Sequence, residues 1–282
     1  MSNSITIKAA FFGAAVILAG CADAGRVATE PVRGLAGASD APALADQQTL
    51  KTRDDVQIVS GTGDITGVVA QYRNLFKPGQ PPNPNVAGVQ DLDGRREINW
   101  DGVPAQFTNN AALPGNFFNT TSPRGVVFTT PGSGFRITNQ GYFEVNPAFA
   151  GEFNTFSPFK LFVASGSTVI DVQFFVAGTN TPAVTTGFGS VFADVGRAHS
   201  TTIEFFDAAG NSLLKIAAPR RSDDKGLSFA GAKFASAIVA RVRIVAGDTP
   251  IDGGFADNVK GAGQKHDLVA TDDFIYGEPR SF

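Results

Sequence analysis

Hydrophobic and polar residues alternate with a period of two along most of the chain after Arg96. Ile170 and Val172, for example, share one face of a strand, and Asp171 lies on the other, because successive side chains of a strand point in opposite directions. Strands that bury only one face are typical of antiparallel sheets packed face to face. The alternation predicts strands at Glu97–Trp100, Val126–Thr130, Phe135–Thr138, Tyr142–Val145, Lys160–Val163, Thr168–Ala177, Val191–Val195, Thr201–Phe206, Ser212–Ala217, Leu227–Phe234, Val239–Val245 and Leu268–Tyr276.

One apolar stripe with helical spacing precedes these strands. It begins after Asp64, which can cap a helix, and ends at Lys77-Pro78-Gly79, where a helix would stop. The stripe predicts a helix over about residues 64–76 and consists of Ile65, Val68, Val69, Tyr72 and Phe76.

No comparable helical pattern follows residue 80, which disfavours a parallel sheet with crossover helices. The predicted fold is therefore all-β: an antiparallel β-sandwich of jelly-roll type with one short N-terminal helix. Its inner faces are expected to carry Ile170, Val172, Phe174, Ile203, Phe205, Val242 and Ile244.

The first 54 residues have the pattern of an export signal followed by a tether. Residues 1–20 contain Lys8 and an apolar run too short to cross a bilayer comfortably, and the run ends in Leu18-Ala-Gly-Cys21. This ending matches a bacterial lipobox and predicts lipidation of Cys21; ordinary secretion with cleavage after Ala24 is the alternative. Residues 21–54 are expected to form a flexible tether, and residues 55–282 one β-sandwich domain.

Composition narrows the possible partners. The chain has 25 Phe, 3 Tyr and 1 Trp, and flat apolar rings suit the space between two sheets. Charged residues make up 17% and the net charge is −3, so no basic surface favours a nucleic acid as partner. With one Cys in the sequence, no intramolecular disulfide can form.

The sequence contains no common catalytic signature, and we assign no catalytic residue. It has no G-x-S-x-G elbow, phosphate-binding loop or H-E-x-x-H motif. His199 and His266 both lie in polar segments before strands and are interpreted as solvated turn histidines. A glycosidase needs only two carboxyl groups, but the spacing of the six Glu residues singles out no pair.

Carboxyl groups concentrate in two segments at the two ends of the predicted sandwich. The alternation places either Asp272 or Asp273 on a face with apolar residues, and a buried carboxylate needs a partner. One hypothesis is a structural calcium ion that joins the first and last strands; its candidate ligands are Glu97, Asp101, Asp272 and Asp273. The alternative is direct neutralisation by an arginine, for which the candidates are Arg95, Arg96 and Arg124. Trp100, between these acids, is interpreted as a core anchor rather than a sugar platform.

Four segments of the sequence carry a resemblance: RREINWDGVP from Arg95, NFFN from Asn116, SPRG from Ser122 and DDFIYGEP from Asp272. Over about residues 60–280 the chain resembles an uncharacterised group of exported bacterial β-sandwich proteins. Many members carry a PEP-CTERM-type sorting tail, whereas this sequence ends without an apolar anchor. The closing Asp-Asp-aromatic strand is also distantly similar to carbohydrate-binding jelly rolls, in which such an Asp can hold a structural calcium ion.

These observations favour an envelope-anchored, non-catalytic module that binds a glycan or another extracellular polymer. A polysaccharide hydrolase or lyase and a purely structural envelope or matrix protein are the alternatives. The expected partners are the membrane, through the N-terminal lipid, and the polymer. The one hypothesised cofactor is the structural calcium ion. The expected location is the bacterial envelope, on the outer membrane or cell surface, with secretion as the alternative. A groove with two facing carboxylates would favour the enzyme, and an aromatic-lined shallow face would favour the binding module.

Overall fold

The computed structural model describes residues 49–53, 55–110, 112–221, 226–252, 254 and 266–282. All of them belong to one compact unit, Ala43–Phe282. The predicted signal segment, Cys21 and the tether up to residue 48 lie outside the described residues, so these assignments stay predictions. Within the described part of the chain, no helix is long and apolar enough to cross a membrane.

Two antiparallel sheets make up the described structure, as the alternation predicts. The larger sheet, called sheet A here, has eight strands. They are β1 (Thr49–Arg53), β2 (Val56–Thr62), β3 (Arg95–Ile98), β5 (Gly134–Thr138), β6 (Leu161–Ser165), β8 (Gly187–Ala193), β11 (Leu227–Phe234) and β13 (Ala270–Gly277). Their spatial order is β1-β2-β11-β8-β13-β6-β5, and β3 pairs with β13 beside β6.

The smaller sheet, sheet B, has five strands in the order β10-β9-β12-β7-β4. They are β4 (Val126–Thr129), β7 (Val169–Phe174), β9 (Thr202–Phe206), β10 (Ser212–Ala217) and β12 (Arg241–Val245). Most connections cross from one sheet to the other, as jelly-roll connections do. The predicted all-β sandwich with a short helix is therefore confirmed.

The main core fills the space between the two sheets. Phe128 from sheet B and Phe162 and Phe274 from sheet A meet there, with ring centroids 5.3 to 6.0 Å apart. All seven residues predicted for the inner faces are buried in this core: Ile170, Val172, Phe174, Ile203, Phe205, Val242 and Ile244. The outer face of sheet B carries polar side chains, so its strands keep the one-sided pattern on which the prediction rests.

Sheet A differs from that pattern because both of its faces are covered. Every residue of β8 and of β13 is buried. Helix α1 (Thr66–Arg73) covers part of the outer face, and Tyr72 lies against the glycines Gly189 and Gly231, where a side chain would leave no room for its ring. Its hydroxyl donates to the carbonyl of Ala232 at 3.0 Å. A separate aromatic cluster around Tyr142, Phe149 and Phe153 covers another part.

Helix α1 is shorter than predicted, but the predicted stripe is correct. Ile65, Val68, Val69, Tyr72 and Phe76 are all buried. Asp64 lies just outside the helix and accepts a hydrogen bond from the backbone N–H of Thr66 at 3.1 Å. A further helix, α2 (Phe117–Thr120), is a single turn, and short 3-10 turns occur at Ala105–Phe107 and Pro147–Phe149.

Three strand assignments need correction. The predicted strand Tyr142–Val145 is a turn: Tyr142 has a φ of 63°, in the left-handed region, so the chain bends there despite the alternating residues. Strand β1 lies inside the predicted tether, and β2 was not predicted. Backbone pairing explains these two strands, because β1 pairs with β2, and β2 joins the sheet through β11.

Candidate functional site

Strand β13 changes its pairing partner halfway along its length. Thr271 pairs with Phe162 of β6, whereas Phe274 pairs with Ile98 of β3. The register with β8 on the other side also shifts between Thr271 and Phe274. Asp272 and Asp273 therefore lie in a bulge, where the sheet leaves room for polar groups from neighbouring loops.

Asp272 is fully buried and held by one loop. Its Oδ2 accepts hydrogen bonds from the backbone N–H groups of Phe156, at 2.6 Å, and Ser157, at 3.3 Å, and its Oδ1 accepts one from the Ser157 hydroxyl at 3.1 Å. Burial, and next the charge of Asp273, raise the pKa of this carboxyl. Asp272 thus fixes the loop that contains Phe156 and Ser157 against sheet A.

Asp273 contacts helix α1. Its Oδ2 is 3.2 Å from Nη2 of Arg73, the last residue of α1. Its Oδ1 is buried and has no hydrogen-bond partner among the described residues. Burial raises the pKa of the Asp273 carboxyl, and the nearby Arg73 charge acts in the opposite direction. A buried carboxylate oxygen without a donor is destabilising, because the group has lost its hydrogen bonds to water.

Glu97 shares the same guanidinium. Its Oε2 is 2.7 Å from Arg73 Nη2, and its Oε1 accepts from Arg73 Nε at 3.0 Å and from Arg95 Nε at 2.6 Å. Glu97 and Asp273, from the two ends of the sandwich, therefore meet at one arginine. The sequence predicted that these segments lie close together, and the pairing of β3 with β13 confirms it.

Asp101 lies apart from this contact. Its Oδ1 accepts a hydrogen bond from the backbone N–H of Lys160 at 3.2 Å, and burial raises the pKa of its carboxyl. Among the described residues, no three side chains of the kinds that bind metals are grouped closely enough to hold an ion. The calcium site at Glu97, Asp101, Asp272 and Asp273 stays a prediction. Of the alternative arginines, Arg95 does pair with Glu97, whereas the arginine on Asp273 is Arg73, which was not a candidate.

Arg96, another of those candidates, pairs with an acid that the sequence analysis did not single out. Arg96 and Glu278 form two hydrogen bonds of 2.7 Å, and both side chains are fully buried. Arg96 also donates to the carbonyls of Pro84, Gly88 and Pro123. The pair thereby fixes the segment of residues 80–90 beside the sheet. The signal available in the sequence was the opposite charge of Arg96 and Glu278, which lie in or directly after the paired strands β3 and β13.

A cleft of about 390 Å³ opens beside these groups. Its lining includes Arg73, Glu97 and Asp273, and the neighbouring segments supply the rest: Pro82, Asn85, Asn99, Arg124, Phe156 and Ser157. A second pocket of about 250 Å³ shares Asn99 and Arg124 with it. The second pocket is more apolar and is lined by Trp100, Val103, Pro104, Phe117 and Phe118, among others. The two pockets are together called the cleft below.

Trp100 is a core anchor, as predicted. It is 1% exposed and stacks on Phe162 with ring centroids 4.0 Å apart. Its Nε1 donates to the backbone carbonyl of Asp272 at 2.6 Å, which ties the floor of the second pocket to the bulge. Phe159, two residues after Ser157 in the chain, is in contrast 77% exposed. It lies on the same loop as Phe156 and Ser157, which line the cleft.

The comparisons with known proteins identify no family. No family model matches the chain, and no curated protein sequence matches it. One solved structure with partial similarity is the enzymatically active domain of tailspike protein 4 from bacteriophage CBA120, at 15% identity and a TM-score of 0.19. The alignment covers 49% of this chain and 20% of the tailspike chain. A likeness of this size supports no conclusion about function.

Proposed function

We propose that the protein is an envelope-attached module that binds a glycan in the cleft without cleaving it. The observation that carries the proposal is a positioned guanidinium in the cleft combined with an exposed ring on a loop that lines it. Arg124 lines both pockets and has no carboxylate partner among the described residues, and Phe159 follows Ser157 by two residues. Sugars offer hydroxyl groups for a guanidinium and an apolar ring face for an aromatic side chain.

Phe159 supplies the apolar contact in this proposal. An exposed fraction of 77% is unusual for a large apolar side chain that merely packs within a fold, and its φ of 120° holds the backbone in a conformation that few non-glycine residues adopt. The ring therefore contributes little to the core. Phe159 lies on the same loop as Phe156 and Ser157, two residues that line the cleft.

A matched pair of variants tests the proposal. Phe159→Ala should weaken retention of the purified protein on the polysaccharide that it binds in a glycan panel by roughly two- to tenfold, the effect of losing one aromatic contact of about 0.5–1.5 kcal/mol. Phe143→Ala, which removes a ring that is 49% exposed on a different segment, far in sequence from Phe156 and Ser157, should leave retention unchanged. No retention of the wild-type protein by any member of the panel would contradict the proposal.

A hydrolase acting on the same polymer is the second candidate, since Glu97 and Asp273 both line the cleft. Hydrolysis requires one carboxyl group on each side of the glycosidic bond or a nucleophile opposite an acid. Here both carboxyl groups contact the same Nη2 atom of Arg73, so one guanidinium pairs with both acids. Incubation with the bound polysaccharide is expected to release no new reducing ends or unsaturated products. Turnover that is lost in Asp273→Asn would establish the enzyme.

Envelope attachment is part of the proposal and depends on Cys21, which lies outside the described residues. Two or three acyl chains at this residue would hold the domain stably at a membrane, whereas one chain gives only marginal binding. Cys21→Ala should therefore move the protein from the membrane fraction to the soluble fraction. Equal distribution of the variant and the wild type would favour secretion.

A further inference from the structure

We infer that Arg124 is a receptor for carboxylate groups and that the glycan bound in the cleft is acidic, a polymer that contains uronic acid residues. The inference rests on the proposed glycan binding and names the class of glycan. It starts from the contacts of Arg124, which differ from those of the other arginines around the cleft.

Arg124 is held in place but is not neutralised. Its Nε donates to the backbone carbonyl of Glu97 at 3.1 Å, its Nη1 donates to the Ser122 hydroxyl, and its guanidinium lies 5.0 Å from the centroid of the Phe118 ring. Within the described residues it forms no ion pair, and its Nη2 has no hydrogen-bond acceptor. A positioned guanidinium with free N–H groups is well suited to bind a carboxylate.

Arg96, by comparison, makes only the contacts of a structural arginine. Its guanidinium is fully buried, faces Glu278 through two hydrogen bonds and donates to three backbone carbonyls. It therefore has no capacity for a ligand. Arg124 is half-buried, and together with Asn99 it lines both pockets of the cleft. A ligand in either pocket would meet the free side of Arg124.

The acids near Arg124 do not cancel its charge. Glu97 already accepts hydrogen bonds from both Arg95 and Arg73, and Asp273 shares Arg73. Among the residues that line the cleft, Arg73 thus contacts both carboxyl groups, those of Glu97 and Asp273, and Arg124 forms an ion pair with neither. An anionic substituent on the ligand would pair with Arg124, whereas a neutral sugar would leave this guanidinium without a counter-charge in a half-buried position.

The test compares each acidic polymer with its own neutral derivative. Polygalacturonate and alginate, each beside its methyl ester, are offered to the wild-type protein at low and moderate salt. We expect at least one acid to be retained roughly ten- to hundredfold more strongly than its ester, as for charge-assisted hydrogen bonds. Because screening weakens interactions between exposed charges, the preference should fall as salt rises.

Variants then assign the preference to one residue. Arg124→Gln should abolish it and leave the weaker binding of the ester in place, whereas Arg124→Lys, which keeps the charge without the planar fork, should retain part of it. Arg136→Gln removes the same charge from a half-buried arginine that lines neither pocket and should change nothing. Melting curves show whether each variant is folded.

The possible failures are distinguishable. Equal retention of both acids and their esters by the wild-type protein would overturn the role of Arg124 without any variant, and so would a preference that survives in folded Arg124→Gln; in both cases the proposed glycan binding would stand. Absence of binding to every polysaccharide, acidic or neutral, would overturn the proposed function and this inference together.

Discussion

At the scale of single residues, the sequence pattern predicts which side chains are buried, and the tertiary structure determines which residues they contact. Tyr72 is an ordinary apolar position of the helical stripe, but its ring lies over two glycines of neighbouring strands, Gly189 and Gly231. The absence of side chains there allows the helix to approach sheet A closely. Period and propensity place Tyr72 on the buried face of the helix, and the strand pairing chooses its neighbours.

Replacing one of these glycines should separate the helix from the sheet. A Cβ at residue 231 would lie 2.8 Å from Cε2 of Tyr72, so Gly231→Ala should lower the free energy of unfolding by roughly 1–3 kcal/mol, the usual cost of overpacking. Gly102→Ala is the control, because a Cβ there meets no atom within 4 Å. Denaturant unfolding measures both, and equal stability of the two variants would contradict the role assigned to the glycines.

A second residue-scale prediction concerns pH. Asp267 is fully buried and accepts hydrogen bonds from the Gly196 N–H, at 2.9 Å, and the Ser200 hydroxyl. Burial, with a smaller contribution from the charge of Asp248, raises the pKa of the Asp267 carboxyl above its usual 3.8. The folded protein therefore binds this proton more tightly than the unfolded chain does, and the stability from this group is lost as pH rises from about 4 through the raised pKa.

Asp267→Asn removes this titration while its amide group can still bond to Gly196 and Ser200. Unfolding free energies of the wild type and the variant, measured by denaturant from pH 4 to pH 8, should therefore diverge, with the wild type losing stability relative to the variant as pH rises. Titration of all other groups is common to both proteins. A difference that stays constant over this range would mean that burial leaves the pKa of Asp267 unchanged.

At the scale of elements, β13 organises the candidate site. It lies inside sheet A, where β3 and β6 share its one side, and the change from β6 to β3 creates the bulge that holds Asp272 and Asp273. Beyond the bulge, Glu278 follows the end of the strand and binds Arg96 of β3. The cleft thus lies where β6 and β3, the two pairing partners on one side of β13, end. The loops next to those strand ends complete it.

The buried ion pair should make a large contribution to this arrangement. Glu278→Ala leaves Arg96 as an uncompensated buried charge and should cost about 3–5 kcal/mol of unfolding free energy. Glu204→Ala is the matched control: it removes a partly exposed ion pair with Lys215, 3.6 Å long, and should cost no more than about 1 kcal/mol. Equal losses in the two variants, measured by denaturant unfolding, would show that the buried pair does not hold the loop of residues 80–90.

At the scale of the whole molecule, the two sheets have different roles. Sheet B buries one face and presents the other to solvent, where Asp171 binds Arg241 and Arg243. Sheet A is covered on both faces, and the cleft lies among the loops beside strands β3 and β13. The stable sandwich therefore acts as a support, and the candidate binding groups come from loops and strand ends.

The junction between the two ends of the sandwich makes a prediction about calcium. Arg73 contacts both Glu97 and Asp273, and if this arginine neutralises the two acids, the melting temperature in excess chelator should equal that in millimolar calcium. The same comparison with Asp273→Asn is the control. A melting temperature of the wild type that rises with calcium, and no such rise in Asp273→Asn, would instead support the metal site predicted from the sequence, because an ion that binds only the folded state stabilises it.

The sequence by itself determined the fold class, because the spacing of apolar residues fixes which face of a strand or helix is buried. The inner faces of sheet B and the apolar stripe of α1 followed from this rule. Strand β2 and the turn at Tyr142 did not, since one depends on backbone pairing with β11 and the other on a left-handed residue.

Only the tertiary structure decided which charged groups meet. Arg73 and Asp273 are 200 residues apart in sequence, and Arg96 and Glu278 are 182 apart. A local pattern shows that a buried carboxylate needs a partner but cannot choose among several arginines, because the choice depends on strand order and on the path of each loop. The lack of an ion pair at Arg124 likewise follows from that order: it donates to the backbone carbonyl of Glu97, and the carboxylate of Glu97 binds Arg73 and Arg95 instead.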